Sequence, residues 1–564
     1  MTRGLRVLIL GGYGTFGARL ARLLADEPRV ELLIAGRSLD AARELCAGLG
    51  GEAARTPLRF DRDADVQTQL RAAAPDVVVD ASGPFQAYGP SPYRVVEACL
   101  AHGAHYLDLA DGVEFVRGIG QLDERARTRG LFVLSGVSTF PVLTAAAVRA
   151  LLPGITRLDG IVGGIAPSPY AGVGRNVIRA IASYAGQPID ARRGGRLVKA
   201  FPLTDTRRFT IAPPGRLPLA PTTFSLVDVP DLHVLADLWP EVRSVWVGAG
   251  PVPASLHRAL RGLAWLVRLG LLPTLAPLAG LLHRASNVLR WGEPRGGMFV
   301  EIEGLDAAGR PTARSWHLLA EGDDGPLIPA MAAEAIVRRC VAGAPPAAGA
   351  RPATRELEVA DYEPAFARKR IQVGIRNPSR ATAAVTLYRR LLGDAWERLP
   401  APVRELHDID GRSVAAGVGR VERGRWTARL VAALFGFPRA ADRVAVEVEF
   451  VERDGRQVWT RRFDGRVLSS VQWEGRGGFD RLLCERFGPL VFGLALVLDG
   501  QHLRLVVRRW TLLGVPLPRV IAPRVDSYET AVDGRFRFHV EISHPALGLI
   551  VRYAGWLEPA RMLL

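Results

Sequence analysis

The stretch LILGGYGTFGARLARLLA, residues 8–25, carries the clearest structural signal in the amino-terminal part of this 564-residue chain. A β-rich apolar run at residues 6–10 precedes its glycines, and residues 18–25 have helical spacing. Residues 12–17 fit the pattern GxGxxG at a strand-to-helix junction. In that pattern the first glycine allows a tight turn, the second admits a pyrophosphate to the backbone, and the third lets helix and strand pack closely. We therefore predict a dinucleotide-binding unit with these contact residues: Gly12, Gly14, Thr15, Phe16 and Gly17.

The end of the second predicted strand, residues 31–35, indicates which dinucleotide binds. Gly36, Arg37 and Ser38 follow this strand, where an acidic residue would bond the ribose hydroxyls of NAD. An arginine instead suits the 2′-phosphate of NADP, through bidentate charge-assisted hydrogen bonds. We predict NADP rather than NAD, with Arg37 and Ser38 as cofactor-binding residues. The alternative is that Arg37 is a solvated loop arginine.

Four further strands are predicted at residues 57–60, 76–81, 105–109 and 131–135. Runs such as DVVVDA are apolar without strict alternation, which is typical of parallel strands covered by helices on both faces. Residues 1–140 should therefore form a doubly wound parallel sheet of the Rossmann type, which binds its ligand at the carboxyl ends of the strands. There Asp61 should meet the adenine edge or cap a helix. The residues after the fourth strand should border the nicotinamide or form a plain turn: Ser82, Gly83, Pro84 and Phe85.

Asp108 and Tyr88 are the candidate catalytic residues. Asp108 lies in the fifth predicted strand, and Asp111 follows that strand. A carboxylate at this position could hold a substrate amine or carry a proton, although such a residue also often caps the next helix. His102 and His105 have no partner ligands nearby, and we predict no metal site.

The composition argues against several classes of protein. The net charge of +16 comes almost entirely from arginines scattered along the chain, since Lys199 and Lys369 are the only lysines. No basic stripe with interleaved aromatic residues appears, so we expect no nucleic-acid partner. The four cysteines are far apart and form no CxxC pair, which favours a reducing cytoplasm over a disulfide framework. Residues 1–4 lead directly into a strand, so we expect no secretory signal.

These motifs resemble the saccharopine dehydrogenase-like family of NAD(P)-binding proteins. Up to residue 150 the resembling stretches are GGYGTFG, AGRS, DVVVDASGPFQAYG, VVEACLAHGAHYLDLADG and VLSGVSTFPVLTAAAV. A looser resemblance continues to residue 350 through SYAGQPI, GGMFVEIEGLDAAGR and DGPLIPAMAAEAIVRRCVAG. The resemblance implies nicotinamide-dependent hydride transfer. It also implies a mixed α+β substrate domain at residues 141–324 and a returning helix at residues 325–345 that packs on the first domain.

The chain departs from that family after the sixth predicted strand. Residues 136–141, GVSTFP, lack the acidic turn residue that is frequent there in the family. No clear set of arginines would clamp a dicarboxylate substrate, although Arg175 and Arg179 could contribute. The small-molecule substrate therefore stays open between an opine-like compound and a lipidic enoyl compound.

Residues 258–291 contain the apolar run LAWLVRLGLLPTLAPLAGLL. Its charge-free part, residues 269–282, is shorter than the roughly 20 apolar residues that span a bilayer, and it contains two prolines. We expect a buried helix pair or a wall of the substrate pocket. The alternative is an amphipathic element on a membrane surface. Peripheral membrane contact is therefore left open, and so is a homodimer.

The last third of the chain has a different character. Residues 346–384 are predicted to be a linker, because the stretch from residue 342 is rich in proline and alanine. A short helix is predicted at residues 387–399, and Asp-Gly pairs then begin at residues 410, 454, 464, 499 and 533. Several lie between β-rich runs and indicate tight hairpins, because type I′ turns need positive φ at both central residues. We predict a separate antiparallel β-domain at residues 385–564, either a strongly curved sheet or a partial barrel.

This β-domain resembles a domain of unknown function that is fused to saccharopine dehydrogenase-like proteins. The resembling stretches are LYRRLLGDAWERLPAPVRELHD, ERFGPLVFGLALVLDGQHLRLVVRRWTLLGVPLP and FRFHVEISHPALGLIVRYAGWL. Its apolar alternations suit either a filled core or a cavity for an apolar ligand.

Two functions remain open from the sequence. The first is an NADP-dependent oxidoreductase that transfers hydride to a C=N, C=O or C=C bond held between the first two domains, with the fold fixing the geometry. The second is a non-catalytic NADP-binding sensor or scaffold whose β-domain binds a lipid or protein partner. The absence of an obvious proton donor keeps this second function open.

Overall fold

The computed structural model describes residues 4–251, 253–322, 324–377 and 385–559. The chain divides into two units. The first comprises Met1–Arg208 and Thr222–Val373, and the second comprises Phe209–Pro221 and Gly374–Leu564. In these described ranges no helix combines the length and the apolar character that crossing a membrane requires.

The first unit begins with a doubly wound sheet, as predicted. Its strands and helices follow each other along the chain: β1 (Leu5–Leu10), α1 (Thr15–Leu24), β2 (Val30–Gly36), α2 (Leu39–Gly48), β3 (Ala54–Arg59), α3 (Val66–Ala73), β4 (Val77–Asp80), α4 (Arg94–His102), β5 (His105–Asp108), α5 (Val113–Gly118), α6 (Asp123–Thr128), β6 (Phe132–Ser135) and α7 (Thr144–Leu151). The strands are parallel and lie in the order β6-β5-β4-β1-β2-β3. Because the winding direction reverses between β1 and β4, a crevice opens at their carboxyl ends.

The central strands of this sheet are buried on both faces. Val7, Leu8 and Ile9 of β1 have no exposed surface, and neither do the valines of β4. Helix α1 buries Leu20 and Leu24 against the sheet. Each such side chain contributes about 1.5–3 kcal/mol when it leaves water, so the sheet is a rigid base for its carboxyl-terminal edge.

A mixed α+β region follows in the same unit. Its elements are β7 (Ile155–Ala166), α8 (Arg175–Tyr184), β8 (Ile189–Arg193), β9 (Arg196–Ala200), β10 (Thr206–Phe209), β11 (Thr222–Leu226), α9 (Asp231–Leu238), β12 (Ser244–Ala249), α10 (Ala254–Arg268), α11 (Ala279–Val288), β13 (Arg295–Asp306) and β14 (Pro311–Glu321). Strand β7 pairs in parallel with β12 and antiparallel with β13, which makes the sheet mixed. Strands β8 and β9 form a separate hairpin.

The chain then returns to the first sheet through α12 (Ile328–Val341), β15 (Gly349–Pro352), α13 (Val359–Ala367) and β16 (Ile371–Arg376). In α12, the Arg338 guanidinium donates to the Leu23 carbonyl of α1 at 2.8 Å. Strand β15 pairs in parallel with β6 and is the seventh strand of the first sheet, and β16 is an edge strand of the second. The prediction of a linker at residues 346–384 is therefore wrong for residues 349–376. In this segment β15 and β16 pair in two different sheets, and α13 lies between them in the sequence.

Helices α10 and α11 occupy the apolar segment at residues 258–291. They bury one face against α8 around Ile178, Ala182 and Ala264, as in a buried helix pair. Beside them Leu269 and Leu281 remain 64% and 66% exposed. The segment thus has one buried face and an outer surface that is partly apolar.

The second unit is an antiparallel barrel. It contains α14 (Leu387–Leu392), α15 (Ala401–His407), β17 (Arg412–Arg423), α16 (Trp426–Leu434), β18 (Ala441–Arg453), β19 (Arg456–Phe463), β20 (Arg466–Glu474), β21 (Leu483–Phe487), β22 (Leu490–Asp499), β23 (His502–Leu512), β24 (Val515–Pro516), β25 (Arg524–Val532), β26 (Arg535–His544) and β27 (Gly548–Pro559). These strands form one eleven-stranded sheet, and the pairing of β22 with β23 closes it. The predicted antiparallel domain is confirmed, and it closes fully rather than partially. Residues 378–384 of the predicted linker lie outside the described residues.

Three of the Asp-Gly pairs form the predicted type of hairpin turn. Both central residues have positive φ at residues 454–455, 464–465 and 533–534, with values between 44° and 82°. Each pair joins two neighbouring antiparallel strands. The pair at residues 410–411 instead precedes β17 and joins no hairpin. Local turn chemistry therefore fixes several barrel connections, whereas closure depends on pairing between distant strands.

Candidate functional site

A cleft of about 600 Å³ lies at the carboxyl edge of the first sheet. It is bordered by the ends of β1 to β4 and by the first turns of α1 and α8. The cleft brings together most of the predicted cofactor-binding residues: Gly14, Thr15, Phe16, Arg37, Asp61, Ser82, Gly83, Pro84 and Phe85. It lies where the winding direction of the sheet reverses, which is where doubly wound folds bind their ligands.

The glycines after β1 have separate geometric roles. Gly11 has φ of +68°, and a Cβ there would lie 2.9 Å from the Ala81 carbonyl oxygen. Gly12 packs on the side chain of Ile34, 2.9 Å from where its Cβ would be. A Cβ on Gly17 would lie 2.3 Å from the Gly11 carbonyl oxygen. Gly11 therefore forms the tight turn that we predicted for Gly12, and Gly17 holds α1 against the turn as predicted.

The first turns of two helices face the cleft. Helix α1 follows Gly14, which supplies no side-chain cap, so its first N–H groups point toward the cleft without a side-chain acceptor. Helix α8 follows Gly174, whose Cβ position is 3.5 Å from Thr15 Oγ1. Asn176 of α8 donates to the Gly83 carbonyl at 3.1 Å. Such helix amino termini carry partial positive charge, which suits phosphate oxygens.

The residues after β2 divide between the cleft and the fold. Arg37 is exposed and lines the cleft. Ser38 has a structural role, because its hydroxyl accepts from the Ala41 N–H and caps α2. Its backbone N–H donates to the Tyr13 hydroxyl at 2.9 Å, and the Tyr13 ring occupies the space beside Gly36. Ser38 is thus a positioning residue for this wall and does not line the cleft.

A polar cluster connects the ends of β3 and β4. The buried Asp80 carboxylate accepts from the Ser82 hydroxyl at 2.6 Å and from the Tyr88 hydroxyl at 3.0 Å. Arg62 donates to Ser82 Oγ at 3.2 Å and lies 3.8 Å from the centre of the Tyr88 ring. Burial raises the pKa of Tyr88 well above its usual range, and the nearby Asp80 carboxylate raises it further. Tyr88 thus holds the loop after β4 and does not line the cleft, contrary to its predicted catalytic position.

Asp108 is also placed behind the cleft. Its Oδ1 accepts from the N–H groups of Ala110 and Gly136, at 3.0 and 2.7 Å, and from the Ser135 hydroxyl at 3.0 Å. The side chain has no exposed surface, and burial raises its pKa to about 7. These bonds tie the ends of β5 and β6 together. The prediction that Asp108 meets substrate is therefore not matched by its position.

Asp111 is the carboxyl group of this loop that does line the cleft. Its Oδ1 accepts from the Gln86 side-chain amide at 3.1 Å, and burial raises its pKa. Arg175 and Arg179 of α8 line the same cleft, as does Ser138 after β6. A carboxyl group, a hydroxyl and two guanidinium groups thus surround the part of the cleft beyond β4.

The sequence prediction missed three residues that build the site. Gly11 lies in the glycine-rich stretch, where the GxGxxG pattern predicts its neighbour Gly12 as the turn residue. Arg62 follows β3 directly after Asp61, so its position at a strand end was a usable signal. Asn176 had no local signal, because only folding brings α8 to the loop after β4. Within the described ranges, no group of three His, Cys, Asp or Glu residues is arranged to hold a metal ion.

The fold and the cleft together define a dinucleotide-binding domain of the Rossmann type. The glycine-rich turn and the uncapped α1 fit the pyrophosphate of such a ligand.

Comparison with known families gives the particular kind of domain. Residues 7–131 match the family model described as Saccharopine dehydrogenase NADP binding domain. Residues 399–557 match a Domain of unknown function (DUF4166). Both resemblances expected from the sequence are confirmed, and the first supports a nicotinamide dinucleotide as the cofactor.

Several solved structures are similar to parts of the chain. Saccharopine dehydrogenase (L-Glu forming) from Saccharomyces cerevisiae is 13% identical, with a TM-score of 0.48, and the match covers 67% of this chain and all of that one. A probable dehydrogenase from Thermotoga maritima is 12% identical, with a TM-score of 0.31, over 64% of this chain and 93% of that one. A meso-dapdh variant from Clostridium tetani is 12% identical, with a TM-score of 0.30, and the match covers 63% of this chain and 95% of that one. Among curated proteins, none matches this chain in sequence.

Proposed function

We propose that this chain is an NADP-dependent oxidoreductase that transfers hydride between the nicotinamide and a substrate with a C=N, C=O or C=C bond. The observation that carries the proposal is the cleft at the β1–β4 crossover. It combines a glycine-rich turn, an uncapped helix terminus and polar groups beyond β4 in one space of about 600 Å³. A bound nicotinamide would supply the hydride chemistry, and the residues of the cleft would bind and orient it.

The dinucleotide-binding half of the cleft supports NADP in particular. The N–H groups at the start of α1 would donate hydrogen bonds to the pyrophosphate oxygens. Arg37 would bond the 2′-phosphate, since it lines the cleft directly after β2. Arg62 follows β3 on the same side and adds a second positive charge. The end of β2 offers no acidic residue to bond the 2′-hydroxyl of NAD, because the strand ends at Gly36 and Arg37 and Ser38 follow it.

The substrate half of the cleft supports Asp111 as the proton carrier. Its carboxyl group lines the cleft and is exposed there, so it can exchange a proton with a substrate. Arg175 and Arg179 would hold an anionic substrate group. Asp108 and Tyr88 would act as positioning residues, because their polar atoms are bonded to the loops that shape the cleft. An opine-like or lipidic enoyl substrate, a homodimer, a cytoplasmic location and membrane contact by residues 258–291 stay predictions.

Titration of the full chain with NADPH and NADH tests the cofactor. Arg37→Ala should weaken NADPH binding by about 1.5–3 kcal/mol, or roughly 10- to 150-fold, because charge-assisted hydrogen bonds are lost. NADH binding should change little. Arg71→Ala is the matched control, since Arg71 is an exposed arginine of the same domain that bonds Thr68 on α3. Equal loss of both cofactors in Arg37→Ala would contradict the 2′-phosphate assignment.

Turnover distinguishes the enzyme from the alternative of a sensor or scaffold. The full chain with NADPH should consume the cofactor in pools of imines, ketones or enoyl thioesters. The position of Asp108 and Tyr88 outside the cleft is the observation that favours the alternative. Tight cofactor binding without turnover across these pools would support the sensor.

A further inference from the structure

The barrel of the second unit encloses a cavity of about 210 Å³. Its wall consists mostly of apolar side chains at inward-facing strand positions, including Val446, Phe450, Phe492, Leu494, Phe538 and Ile542. A domain with a filled core would have closed this space, because protein interiors are packed as densely as organic crystals. A cavity of this composition accepts an apolar ligand.

One end of the barrel is closed by α14 and α15. The rings of Tyr388 and His407 stack there with centroids 3.9 Å apart, and His407 pairs with Glu529 of β25. Several polar groups of this floor bond one another, since Glu485 accepts from Arg461 at 3.2 Å and from Ser470 at 2.7 Å. A floor whose carboxylate is already hydrogen-bonded does not require a ligand head group. The end of an alkyl chain can therefore lie against it.

Helix α16 lies at the opposite end of the barrel, between β17 and β18. Its inner face buries Ala428 and Ala432 in the barrel core. Its outer face presents Trp426, Leu430 and Leu434, which are 72%, 64% and 82% exposed. These three follow a four-residue spacing and form one apolar stripe. We call this surface the α16 stripe.

Further apolar side chains surround the same end of the barrel. Strand β20 begins there, and strands β23 and β24 meet there in a turn. More than half of the surface is exposed for four residues of these segments and of the loop before β25: Val467, Leu513, Val515 and Val520. Several exposed apolar side chains at one end of a barrel are unusual for a surface that faces only water, and they mark an interaction site.

Arginines accompany the α16 stripe. Arg423, Arg429, Arg439 and Arg466 lie close enough that their mutual repulsion adds to burial in lowering the pKa of Arg423. Among the described residues, none of these four takes part in an ion pair. Arg423 bonds the Pro438 carbonyl at 2.7 Å, which fixes the loop after α16. This end of the barrel, which we call its mouth, therefore combines exposed apolar side chains with four arginines that form no ion pair among the described residues.

We propose that the barrel binds one acyl chain of a lipid and docks on an anionic bilayer through the α16 stripe to exchange it. The alkyl chain occupies the apolar cavity, and its anionic head group stays at the mouth beside the arginines. The stripe enters the boundary between head groups and acyl chains, as amphipathic interfacial helices do. The arginines add attraction to the negative surface. This inference stands apart from the proposed redox function, since it rests only on the second unit.

Vesicle co-sedimentation of the full chain tests the docking surface. The chain should sediment with vesicles of phosphatidylcholine and phosphatidylserine in equal amounts, and much less with phosphatidylcholine alone. The triple variant Trp426→Ser, Leu430→Ser, Leu434→Ser should lose this binding. Val532→Ser should retain it, since Val532 is an exposed apolar residue at the opposite end of the barrel. Equal binding by the triple variant and the parent chain would overturn the docking surface.

The arginines give an independent test with the same vesicles. Arg439→Gln and Arg466→Gln should each weaken binding about fivefold, because each cation near an anionic surface adds a similar increment. Raising the salt concentration should weaken vesicle binding by the parent chain more than it weakens vesicle binding by these variants. Binding that is unchanged in both variants would overturn the electrostatic part of the proposal.

Uptake of cis-parinaric acid tests the cavity itself. Its fluorescence should rise on binding to the full chain, saturate at one molecule per chain, and be displaced by oleate. Val446→Phe fills the cavity and should abolish uptake, with far-ultraviolet circular dichroism showing that the variant is folded. The triple variant of the stripe should still take up the free acid, which keeps the cavity test valid if membrane docking is lost. No uptake by the parent chain would overturn the proposal.

Discussion

Replacing Gly17 by alanine should separate α1 from the glycine-rich turn of the dinucleotide-binding domain. The added Cβ would lie 2.3 Å from the Gly11 carbonyl oxygen and 2.8 Å from the Gly12 Cα. Both are backbone atoms, so no side chain can rotate away. An ordinary contact needs more than 3.4 Å, which means that α1 must move outward by about 1 Å. The N–H groups that are expected to bind the pyrophosphate move with it.

The expected cost follows from comparable overpacking in other cores. Inserting a methyl group into a well-packed site costs about 1–3 kcal/mol, and the contact with backbone places Gly17→Ala at the upper end of that range. A loss of about 3 kcal/mol corresponds to roughly 100-fold faster amide exchange where opening of this domain controls exchange. Displaced phosphate-binding amides should weaken NADPH at least about tenfold, the loss of one charge-assisted bond.

Two matched glycine variants make the test specific. A Cβ on Gly14 would lie 3.0 Å from the Gly11 carbonyl oxygen, so Gly14→Ala should cost less than Gly17→Ala. Gly48, in α2, has nothing within 4 Å, and Gly48→Ala should stabilise its helix by about 0.5–1 kcal/mol. Hydrogen–deuterium exchange of β1 and α1 and NADPH titration measure the two effects. If Gly17→Ala behaves like Gly48→Ala in both assays, the close helix–strand contact is not what makes the site.

Three further predictions concern charged groups of the same unit. The pKa of Asp108 is raised to about 7 by burial, so the folded state holds a proton that the unfolded state has lost above about pH 4. The free energy of unfolding should therefore fall as pH rises toward 7, and Asp108→Asn should reduce this slope in denaturant titrations at several pH values. The buried Asp231, whose pKa burial also raises to about 7, should keep part of the slope in the variant. Asp111→Asn should lower NADPH turnover at least about 100-fold without weakening NADPH binding. In the parent chain, turnover should fall as pH rises through the raised pKa of Asp111. An unchanged pH profile in the variant would exclude Asp111 as the proton donor. Arg338→Ala removes the bond to Leu23 and one partner of the buried Glu334, and should cost about 1–3 kcal/mol in thermal unfolding, whereas a neutral result would show that α12 is held by apolar packing alone.

Much of the fold is encoded in short stretches of sequence. The apolar strands, the glycine-rich turn and the Asp-Gly hairpins were predictable because each depends on neighbours within a few residues. Positive φ at residues 454–455 is a property of the dipeptide and its flanking strands. The arginine after β2 was likewise readable, because parallel strands end at one edge of the sheet.

Other features of the site depend on contacts between distant parts of the chain. Asp108 ends β5 and Asp111 lies three residues further on, so the sequence does not distinguish their roles. Only the folded structure shows that three donors bond Asp108 while Asp111 faces the cleft. Tyr88 was expected at the reacting atoms, yet Asp80 holds its hydroxyl. Asn176 reaches Gly83 across 93 positions of sequence. No local sequence pattern indicates which polar atoms will be hydrogen-bonded within the fold and which will face the cleft.

Periodicity and backbone freedom were enough to predict the parallel amino-terminal sheet, its glycine-rich turn and the antiparallel character of the last domain. Tertiary structure decided that residues 349–352, which contain glycine and proline, complete the first sheet beside β6, and that β22 meets β23 to close a barrel around a cavity. The physical reason is the range of the interactions. Turns and alternation are set by adjacent residues, whereas strand closure, cavities and the burial of a carboxyl group exist only when remote segments have packed together.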